Sequence, residues 1–178
     1  MILVTGGAGF IGSHFCSILK RNNYDFLIID NFCNSKKDNI IKLETLIGEH
    51  VELIEGDIRD KKKLTSIFKN YNISSVVHFA GLKSVNNSFK FPLEYYSSNV
   101  VGTINLIETM LEWNIKKIIF SSSATVYNKD LALPWKENLI LNLPENPYAQ
   151  TKFIIEKFLY NIYRVNKKMR IGILRYFN

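Results

Sequence analysis

The sequence predicts a three-layer α/β fold, in which helices cover both faces of a doubly wound parallel sheet. Six short runs rich in Val, Ile and Phe alternate with stretches of helical spacing, and this alternation is typical of a parallel sheet. The runs lack the apolar-polar alternation of half-exposed strands, which indicates that both of their faces are buried. Right-handed crossovers between such strands produce the doubly wound arrangement.

The predicted elements follow one another regularly, with one interruption. The strands are expected at 1–5, 26–30, 51–55, 75–80, 116–123 and 170–176, and the helices at 11–22, 37–47, 62–70, 93–113 and 148–165. The segment 128–147 contains Pro134, Pro144 and Pro147 and predicts a long loop over the strand ends. A loop of this length in a compact domain usually carries function.

Length and composition indicate one soluble globular domain over residues 1–178. The chain is 47% apolar and 22% charged, which is ordinary for such domains. No run approaches the ~18 apolar residues of a membrane-spanning helix, so no membrane association is expected. The two cysteines, Cys16 and Cys33, are far apart and lack metal-ligand spacing. We therefore expect no metal, no disulfide and a reduced, cytoplasmic setting.

The net charge of the chain is +7, and its pI is about 9.3. A basic balance is common among nucleic-acid-binding proteins. Here, however, the lysines occur in short scattered groups beside Asn and Asp at predicted helix ends, where they would be solvated. We therefore expect no nucleic-acid partner, whereas a positive surface would suit an anionic small substrate.

A glycine-rich segment, GGAGFIG at 6–12, joins the first predicted strand to the first predicted helix. Glycine permits a tight turn and leaves no Cβ between the backbone and a pyrophosphate. The helix start adds free N–H groups and a positive dipole end. The segment satisfies both G-x-G-x-x-G and G-x-x-G-x-x-G, and its position between a strand and a helix predicts a Rossmann-type dinucleotide site.

Two acidic residues follow the next two predicted strands. Asp30 ends the second strand, eighteen residues after Gly12, where a carboxylate can bind a ribose hydroxyl and would repel a 2′-phosphate. This favours NAD over NADP, although Asp30 could instead start a turn before Asn31. Asp57 follows the third strand and could meet the adenine edge, or could cap the helix after Arg59.

Tyr148 and Lys152 are four residues apart at the start of a predicted helix, with Asn146 as its expected cap and Pro147 as its first residue. Spacing of four places both side chains on one face. A tyrosine ordinarily titrates near pH ~10, and a nearby ammonium would lower its pKa. The pair could therefore take a proton from a sugar hydroxyl, with Ser123 at the end of the fifth strand sharing it.

These residues also have interpretations that involve no function. Tyr-x-x-x-Lys spacing occurs by chance, and serine clusters such as 121–123 are common in turns. Because Ser123, Tyr148 and Lys152 follow a glycine loop and an acidic strand end in that order, these three residues together are better explained as a functional site. No Ser-His-Asp triad is indicated, because His14, His50 and His78 fit one poorly. His78 lies in an apolar strand and is interpreted as a packed residue.

The order of these motifs resembles that of the extended short-chain dehydrogenase/reductase superfamily. Eight stretches are similar to its UDP-glucose 4-epimerase family, and the similarity covers essentially the whole chain in register. These stretches are VTGGAGFIGSH (4–14), DNFCNS (30–35), EGDIRD (55–60), HFAGLKSV (78–85), PLEYY (92–96), FSSSATVY (120–127), PYAQTK (147–152) and LRYFN (174–178).

The resemblance implies NAD as cofactor and a role for each matching position. Tyr148 would be the general base, Lys152 its partner and Ser123 a helper in proton transfer. The implied substrate contacts are Lys83, Ser123, Tyr148, Phe177 and Asn178. The implied cofactor contacts are Gly6, Gly9, Phe10, Ile11, Gly12, Asp30, Asn31, Asn34, Ser35, Asp57, Ile58, Phe79, Ala80, Gly81, Lys83, Asn99, Tyr148, Lys152 and Tyr176.

The implied reaction is inversion of the C4 hydroxyl between UDP-galactose and UDP-glucose through a 4-keto sugar. Related dehydratases and decarboxylases carry acidic residues just after the serine or threonine, where this chain has Ala124 and Thr125, so epimerisation is favoured. The family often has two asparagines where this chain has Ser98 and Asn99, which predicts an altered contact near the cofactor.

The resemblance further implies that a C-terminal part binding the nucleotide sugar would follow residue 178. Three alternatives stay open for the chain: an epimerase or its catalytic part, an NAD-binding fragment without turnover, or another sugar-nucleotide epimerase or reductase of the superfamily. A homodimer is also implied through the helices at 93–113 and 148–165. The apolar residues available for that contact, or for packing on the sheet, are Leu106, Ile107, Phe153, Phe158 and Leu159.

Overall fold

The computed structural model describes residues 1–127 and 133–177. Its six strands form one parallel sheet in the order β3-β2-β1-β4-β5-β6. The strands are β1 (Ile2–Thr5), β2 (Phe26–Asp30), β3 (Leu53–Glu55), β4 (Ser75–His78), β5 (Lys117–Ser123) and β6 (Arg170–Tyr176). The chain moves outward from β1 to β3 and then returns to start again at β4, so the predicted doubly wound fold is confirmed.

Seven α-helices connect the strands within the described residues. None of them is long and apolar enough to cross a membrane. They are α1 (Phe10–Arg21), α2 (Asp38–Ile47), α3 (Lys61–Asn70), α4 (Val85–Lys90), α5 (Pro92–Tyr95), α6 (Gly102–Glu112) and α7 (Pro147–Val165).

The predicted continuous helix over 93–113 is wrong in its middle. The structure has a π-helical segment, Tyr96–Val101, between α5 and α6. This segment places Asn99 inside the protein, where its side chain bonds the loop after β4 and helix α7. Wider helical turns of this kind are frequent at functional sites.

Helix α4 has no counterpart among the predicted elements. It has only six residues, and Asn86, Asn87 and Ser88 give it weak helical propensity. Its start is fixed by Ser84, whose hydroxyl accepts a hydrogen bond from the Asn87 N–H at 3.2 Å. A helix this short is specified by its cap and its neighbours, which no periodic pattern reveals.

The core has two parts, one on each face of the sheet. Successive residues of β1 point in opposite directions, so Leu3 packs in one part and Val4 in the other. The Leu3 part includes residues of α3, α6 and α7, and the Val4 part includes residues of α1 and α2. Both faces of the central strands are therefore buried, as the continuous apolar runs predicted.

The apolar residues considered for a dimer contact divide into two groups. Leu106, Ile107 and Leu159 are fully buried in the core of the chain itself, so for these three the alternative of packing on the sheet applies. They face the sheet because the apolar stripe of α6 and α7 covers it. Phe158 is half-buried against the same core, and Phe153 is half-buried beneath Lys157.

Replacement of Leu106 by alanine should lower the free energy of unfolding by about 2–5 kcal/mol, because it removes a fully buried side chain and leaves a cavity. Urea unfolding followed by circular dichroism measures the loss. The matched control is Leu46→Ala in α2, where the side chain is 59% exposed and the expected change is below about 0.5 kcal/mol. Equal losses in the two variants would contradict this description of the core.

Candidate active site

A cavity of about 360 Å³ opens at the carboxyl ends of the strands. Its wall is built from the segments that follow β1, β2, β3, β4 and β5, together with the end of β6 and the first turns of α7. It includes the point between β1 and β4 where the strand order reverses. Crevices at such switch points are where open α/β sheets bind ligands.

The glycine loop lines this cavity and is packed too tightly for larger residues. Gly6 has a left-handed backbone (φ +73°), and a Cβ on it would lie 2.5 Å from the Ala80 backbone nitrogen. A Cβ on Gly12 would lie 2.3 Å from the Gly6 carbonyl oxygen. Helix α1 begins after Gly9 with no side-chain cap and no acidic residue in its first turn. Its first N–H groups are thus left for an anion.

Asp30 lies at the end of β2 on the cavity wall and is buried. Its carboxylate accepts hydrogen bonds from the N–H groups of Ala8 (3.0 Å) and Phe32 (2.9 Å) and from the Ser35 hydroxyl (2.9 Å). Asp30 therefore also starts a turn, which was the alternative interpretation of this residue. A carboxylate has about four acceptor positions, so capacity for a ligand hydroxyl remains.

Asp57 follows β3 and also lines the cavity. It accepts bonds from the Arg59 backbone and guanidinium and from the Asn31 amide, which together lower its pKa to about 2, with the Arg59 guanidinium as the largest cause. The alternative interpretation of Asp57 as a helix cap is wrong, because Asp60 caps α3 by accepting the Lys63 N–H at 3.0 Å.

The loop after β4 is fixed from behind by a buried amide. Asn99 accepts a hydrogen bond from the Leu82 N–H (2.7 Å) and donates to the Leu82 carbonyl (3.0 Å) and to the Thr151 hydroxyl (3.0 Å). Asn99 is 1% exposed and does not line the cavity. From this position Asn99 supports the loop 79–83, all of whose residues line the cavity.

His78 lies at the end of β4 and is fully enclosed. Its ring nitrogens are 2.6 Å from the Thr5 hydroxyl and 2.8 Å from the Thr103 hydroxyl. Burial, assisted by the positive charge of Lys152, lowers the pKa of His78 to about 3, so the ring is neutral near pH 7. The interpretation of His78 as a packed strand residue is confirmed.

Tyr148 and Lys152 reach the cavity from the first turns of α7. Asn146 caps this helix by accepting the Ala149 N–H at 2.8 Å, and Pro147 is its first residue, as predicted. The Lys152 ammonium donates to the Ser121 carbonyl at 2.8 Å and lies 5.9 Å from the centre of the Tyr148 ring. The spacing of four thus puts both groups on one face.

Ser123, at the end of β5, shares a hydrogen bond with the Tyr148 hydroxyl. Its own hydroxyl oxygen accepts bonds from the Thr125 hydroxyl (2.9 Å) and the Thr125 N–H (3.2 Å). Ser123, Tyr148 and Lys152 therefore meet on one wall of the cavity, which also carries the glycine loop.

The expected lowering of the Tyr148 pKa is wrong for this structure. Burial raises the pKa of the phenol above its ordinary value of 10, and the bond with Ser123 opposes this only in part. Burial also lowers the pKa of the Lys152 ammonium to about 8. Desolvation is the largest cause of both changes, because a charge in a low-dielectric site is costly.

Most of the predicted contact residues are brought together, and a few are not. Ser35 and Asn99 lie behind the wall, where they hold Asp30 and Leu82. The Phe177 ring stacks on Tyr127 and is tilted against Trp135, with 6.1 Å between ring centres in both cases, and it does not line the cavity. Asn178 lies outside the described residues. The predicted residues that line the cavity are Gly6, Gly9, Phe10, Ile11, Gly12, Asp30, Asn31, Asn34, Asp57, Ile58, Phe79, Ala80, Gly81, Lys83, Ser123, Tyr148, Lys152 and Tyr176.

Several wall residues were not predicted as contacts. For Ser98 the sequence shows only a departure from the family's pattern. Its position one residue before Asn99, a predicted cofactor contact, is the signal that could identify it as a wall residue. The others lie within or directly beside the stretches quoted for the resemblance, but no contact is predicted for them. They are Ile29, Cys33, Gly56, Leu82, Val85, Ser121, Ser122 and Thr125. Glu156, which lies one turn beyond Lys152 and bonds Ser122, was also missed.

This sheet order, the glycine loop at its first turn and the Tyr-Lys pair at the same cavity define a Rossmann-type domain with the geometry of a dinucleotide site. Residues 3–178 match the sequence profile of the family described as GDP-mannose 4,6 dehydratase. The chain belongs to this family.

Its similarity to individual proteins is specific. It is 44% identical to a UDP-glucose 4-epimerase of Schizosaccharomyces pombe (99% of this chain, 51% of that protein) and 45% identical to the UDP-glucose 4-epimerase of Yersinia pestis (99% and 52%). The solved structure of the UDP-glucose 4-epimerase of Bifidobacterium longum in complex with NAD+ and UDP matches with a TM-score of 0.97 and 41% identity (99% and 53%). The chain spans about half the length of these relatives.

Replacement of Gly12 by alanine should lower the free energy of unfolding by about 1–3 kcal/mol, because the new Cβ meets backbone atoms that cannot move aside cheaply. Chemical unfolding measures the change. Gly172→Ala in β6 is the matched control, since a Cβ there would be 3.6 Å from Ile119, an ordinary contact. A Gly12→Ala variant as stable as the Gly172→Ala variant would contradict the tight packing of the loop.

Proposed function

We propose that the chain carries the NAD-binding and proton-transfer residues of an enzyme that inverts the C4 hydroxyl of a UDP-hexose, between UDP-galactose and UDP-glucose. The observation that carries this proposal is the convergence of Ser123, Tyr148 and Lys152 on the cavity lined by the glycine loop and Asp30. The similarity to UDP-glucose 4-epimerases over 99% of the chain supports the same reaction.

The cavity residues fit NAD. The uncapped start of α1, next to glycines that approach one another closely, suits the pyrophosphate. Asp30 would bind the adenosine ribose, and its charge disfavours the 2′-phosphate of NADP. Asp57 and Ile58 would border the adenine, and Lys152 would hold the nicotinamide ribose. When bound, NAD supplies hydride acceptance and return at the sugar C4, together with a positive charge near Tyr148.

The protein's own residues would manage the proton of the 4-hydroxyl. Tyr148 is the proposed general base, and Ser123, already hydrogen-bonded to it, would orient the sugar hydroxyl and share its proton. Burial raises the pKa of the phenol and keeps it protonated at neutral pH. The Lys152 ammonium, whose pKa is about 8 and which is mostly charged at neutral pH, would stabilise the phenolate as the proton leaves.

Epimerisation is favoured over elimination by the residues next to Ser123. Elimination of water from a sugar requires an additional acid and base beside the ring. The two residues that follow Ser123 are Ala124 and Thr125, and the Thr125 hydroxyl is occupied in a bond to Ser123. Neither can act as a carboxylic acid, although the family's name refers to a dehydratase.

A second candidate function is NAD binding without turnover. It is favoured by one observation, that the chain spans 51–52% of the two curated relatives. In this case the cavity residues would hold the dinucleotide without turnover of a UDP-sugar.

Replacement of Tyr148 by phenylalanine should reduce conversion of UDP-galactose to UDP-glucose by about 100-fold or more, because the proton acceptor is lost. Product is measured by chromatography with NAD present. Tyr160→Phe, on the same helix but 58% exposed, should leave the rate unchanged. Equal rates for the Tyr148→Phe variant and the unaltered chain would contradict the role of Tyr148. Bound NAD with no product from the unaltered chain would support the second candidate.

The chain should bind NAD more tightly than NADP, and Asp30→Asn should shrink this preference by about tenfold, equivalent to about 1.4 kcal/mol. The reason is that the negative charge that repels a 2′-phosphate is removed. Calorimetric titration with each dinucleotide measures both affinities. Asp25→Asn serves as the control, since Asp25 is exposed and away from the cavity. Equal affinity of the unaltered chain for NAD and NADP would be the contrary result.

A further inference from the structure

A buried ion pair lies beneath the Tyr148–Lys152 face of α7. Glu156 accepts two hydrogen bonds from the Arg175 guanidinium, at 3.0 Å on Oε1 and 2.7 Å on Oε2, and a third from the Ser122 hydroxyl at 2.5 Å. The Glu156 side chain is 7% exposed and that of Arg175 is 16% exposed. Three hydrogen bonds thus fix the carboxylate, which is shielded from water.

The pair joins the three elements that hold the proposed proton-transfer groups. Tyr148, Lys152 and Glu156 are spaced by four along α7 and share one face. Ser122 and Arg175 are partners in the register of β5 and β6. The carbonyl that receives the Lys152 ammonium belongs to Ser121, directly before Ser122. Any shift of Glu156 would therefore alter the contact between Lys152 and the Ser121 carbonyl.

Arg175 extends the network beyond the sheet. Its Nη1 donates to the Tyr127 hydroxyl at 2.9 Å, and its guanidinium lies 4.8 Å from the centre of the Tyr127 ring. Tyr127 follows the short 3-10 turn Ala124–Val126, which begins at Ser123. The segment after β5 is thereby tied to the same ion pair as α7.

Stability alone does not explain such a pair. The desolvation penalty of a buried ion pair is commonly as large as its attraction, and apolar replacements of the whole pair are often neutral. Lys152 is also buried, and among the described residues the hydrogen-bond partner of its ammonium is the Ser121 carbonyl and not a carboxylate. The nearby negative charge of Glu156 can stabilise the Lys152 ammonium, which an apolar pair could not do.

We propose that Glu156 is a positioning residue for Lys152: its carboxylate, fixed by Arg175 and Ser122, keeps the Lys152 side chain charged and directed at Ser121 and Tyr148, while Arg175 limits the strength of this effect. The consequence for turnover rests on the proposed function. The consequence for the charge of Lys152 does not.

The charges around Lys152 agree with this division of roles. Burial is the largest influence on the pKa of Lys152 and lowers it, and Glu156 acts in the opposite direction. His78 on β4 has a pKa of about 3, and burial raises the pKa of Tyr148. Both are therefore neutral at pH 7. Arg175 on β6 stays charged, because its bonds to Glu156 raise its pKa.

Further groups face this region without changing the balance. Burial raises the pKa of Tyr95 on α5, which acts on Tyr148, so its phenol is uncharged at neutral pH. The remaining neighbours of the ammonium are the uncharged Ser121 carbonyl and the Phe120 ring, whose centre is 4.8 Å away. Within the described residues, Glu156 and Arg175 are thus the ionised groups tied to the Lys152 environment by these contacts.

The test is a direct titration of Lys152 by NMR of the chain labelled at the lysine ε-carbon, with Lys152→Met identifying the signal. In the unaltered chain Lys152 should titrate near pH 8. Glu156→Gln should lower the midpoint by about one pH unit, because the carboxylate charge is lost. Arg175→Gln should raise it, because the carboxylate is no longer neutralised. Glu49→Gln removes an exposed carboxylate that is away from the cavity, and it should leave the midpoint unchanged.

Opposite shifts in the Glu156→Gln and Arg175→Gln variants separate an electrostatic role from a merely structural one, which would move both midpoints alike or neither. Shifts in the same direction, or none, would overturn the proposal. If either single variant fails to fold, the double variant E156Q/R175Q leaves no unpaired buried charge and should titrate below the unaltered chain. A midpoint equal to that of the unaltered chain would then overturn the proposal.

Turnover provides a second, independent test of the proposal. With UDP-galactose and NAD, the alkaline limb of the kcat profile should move with the Lys152 midpoint in each variant, because activity requires the ammonium. Shifted midpoints with no turnover in any variant, the unaltered chain included, would leave the role of Glu156 standing and count against the proposed function. Shifted midpoints with an unmoved alkaline limb would overturn the consequence for turnover.

Discussion

The pairing of β1 with β2 on one side and with β4 on the other organises this molecule. Because all of these strands run in parallel, the segments that follow them emerge at a single edge. The chain reverses its direction of travel between β1 and β4, so the loops on either side of that point separate and leave a crevice. In the glycine loop, Gly6 fits against the loop after β4, and Gly12 fits against the Gly6 carbonyl, because neither residue has a Cβ.

A second constraint acts where α7 meets the end of β5. The helix brings a tyrosine, a lysine and a glutamate to the sheet on one face, and each has a partner there: Ser123, the Ser121 carbonyl and Ser122. Burial disfavours the charged forms of Tyr148 and Lys152, because it raises the pKa of Tyr148 and lowers that of Lys152. The Tyr148 phenol thus holds its proton at neutral pH.

The sequence was sufficient for the fold because its signals were repeated. Buried strands gave continuous apolar runs, and β2 and β6 begin and end at the predicted residues. Asn146 and Pro147 marked the start of α7 through their capping chemistry. The glycine loop, Asp30 and the Tyr148–Lys152 pair could be placed at one edge, because parallel strands leave no other arrangement.

Long-range polar contacts could not be predicted in the same way. The π-helical turn depends on bonds between Asn99, Leu82 and Thr151, which are far apart in sequence. The charge state of Tyr148 depends on how deeply it is buried, which the i to i+4 spacing does not encode. The Glu156–Arg175 pair needed the register of β6 to be known. Spacing predicts which residues share a face, whereas desolvation and partners across elements emerge only from packing.

The central claim is that the crevice at the carboxyl ends of the strands holds a dinucleotide with its pyrophosphate on the glycine loop. Hydrogen–deuterium exchange of the chain with and without NAD tests this most directly. The account predicts slower exchange in segments 6–12, 30–35, 79–83 and 148–152, with no change in segment 164–170 at the opposite end of the sheet. Slower exchange at 164–170 with none at 6–12, or no change anywhere at saturating NAD, would contradict it.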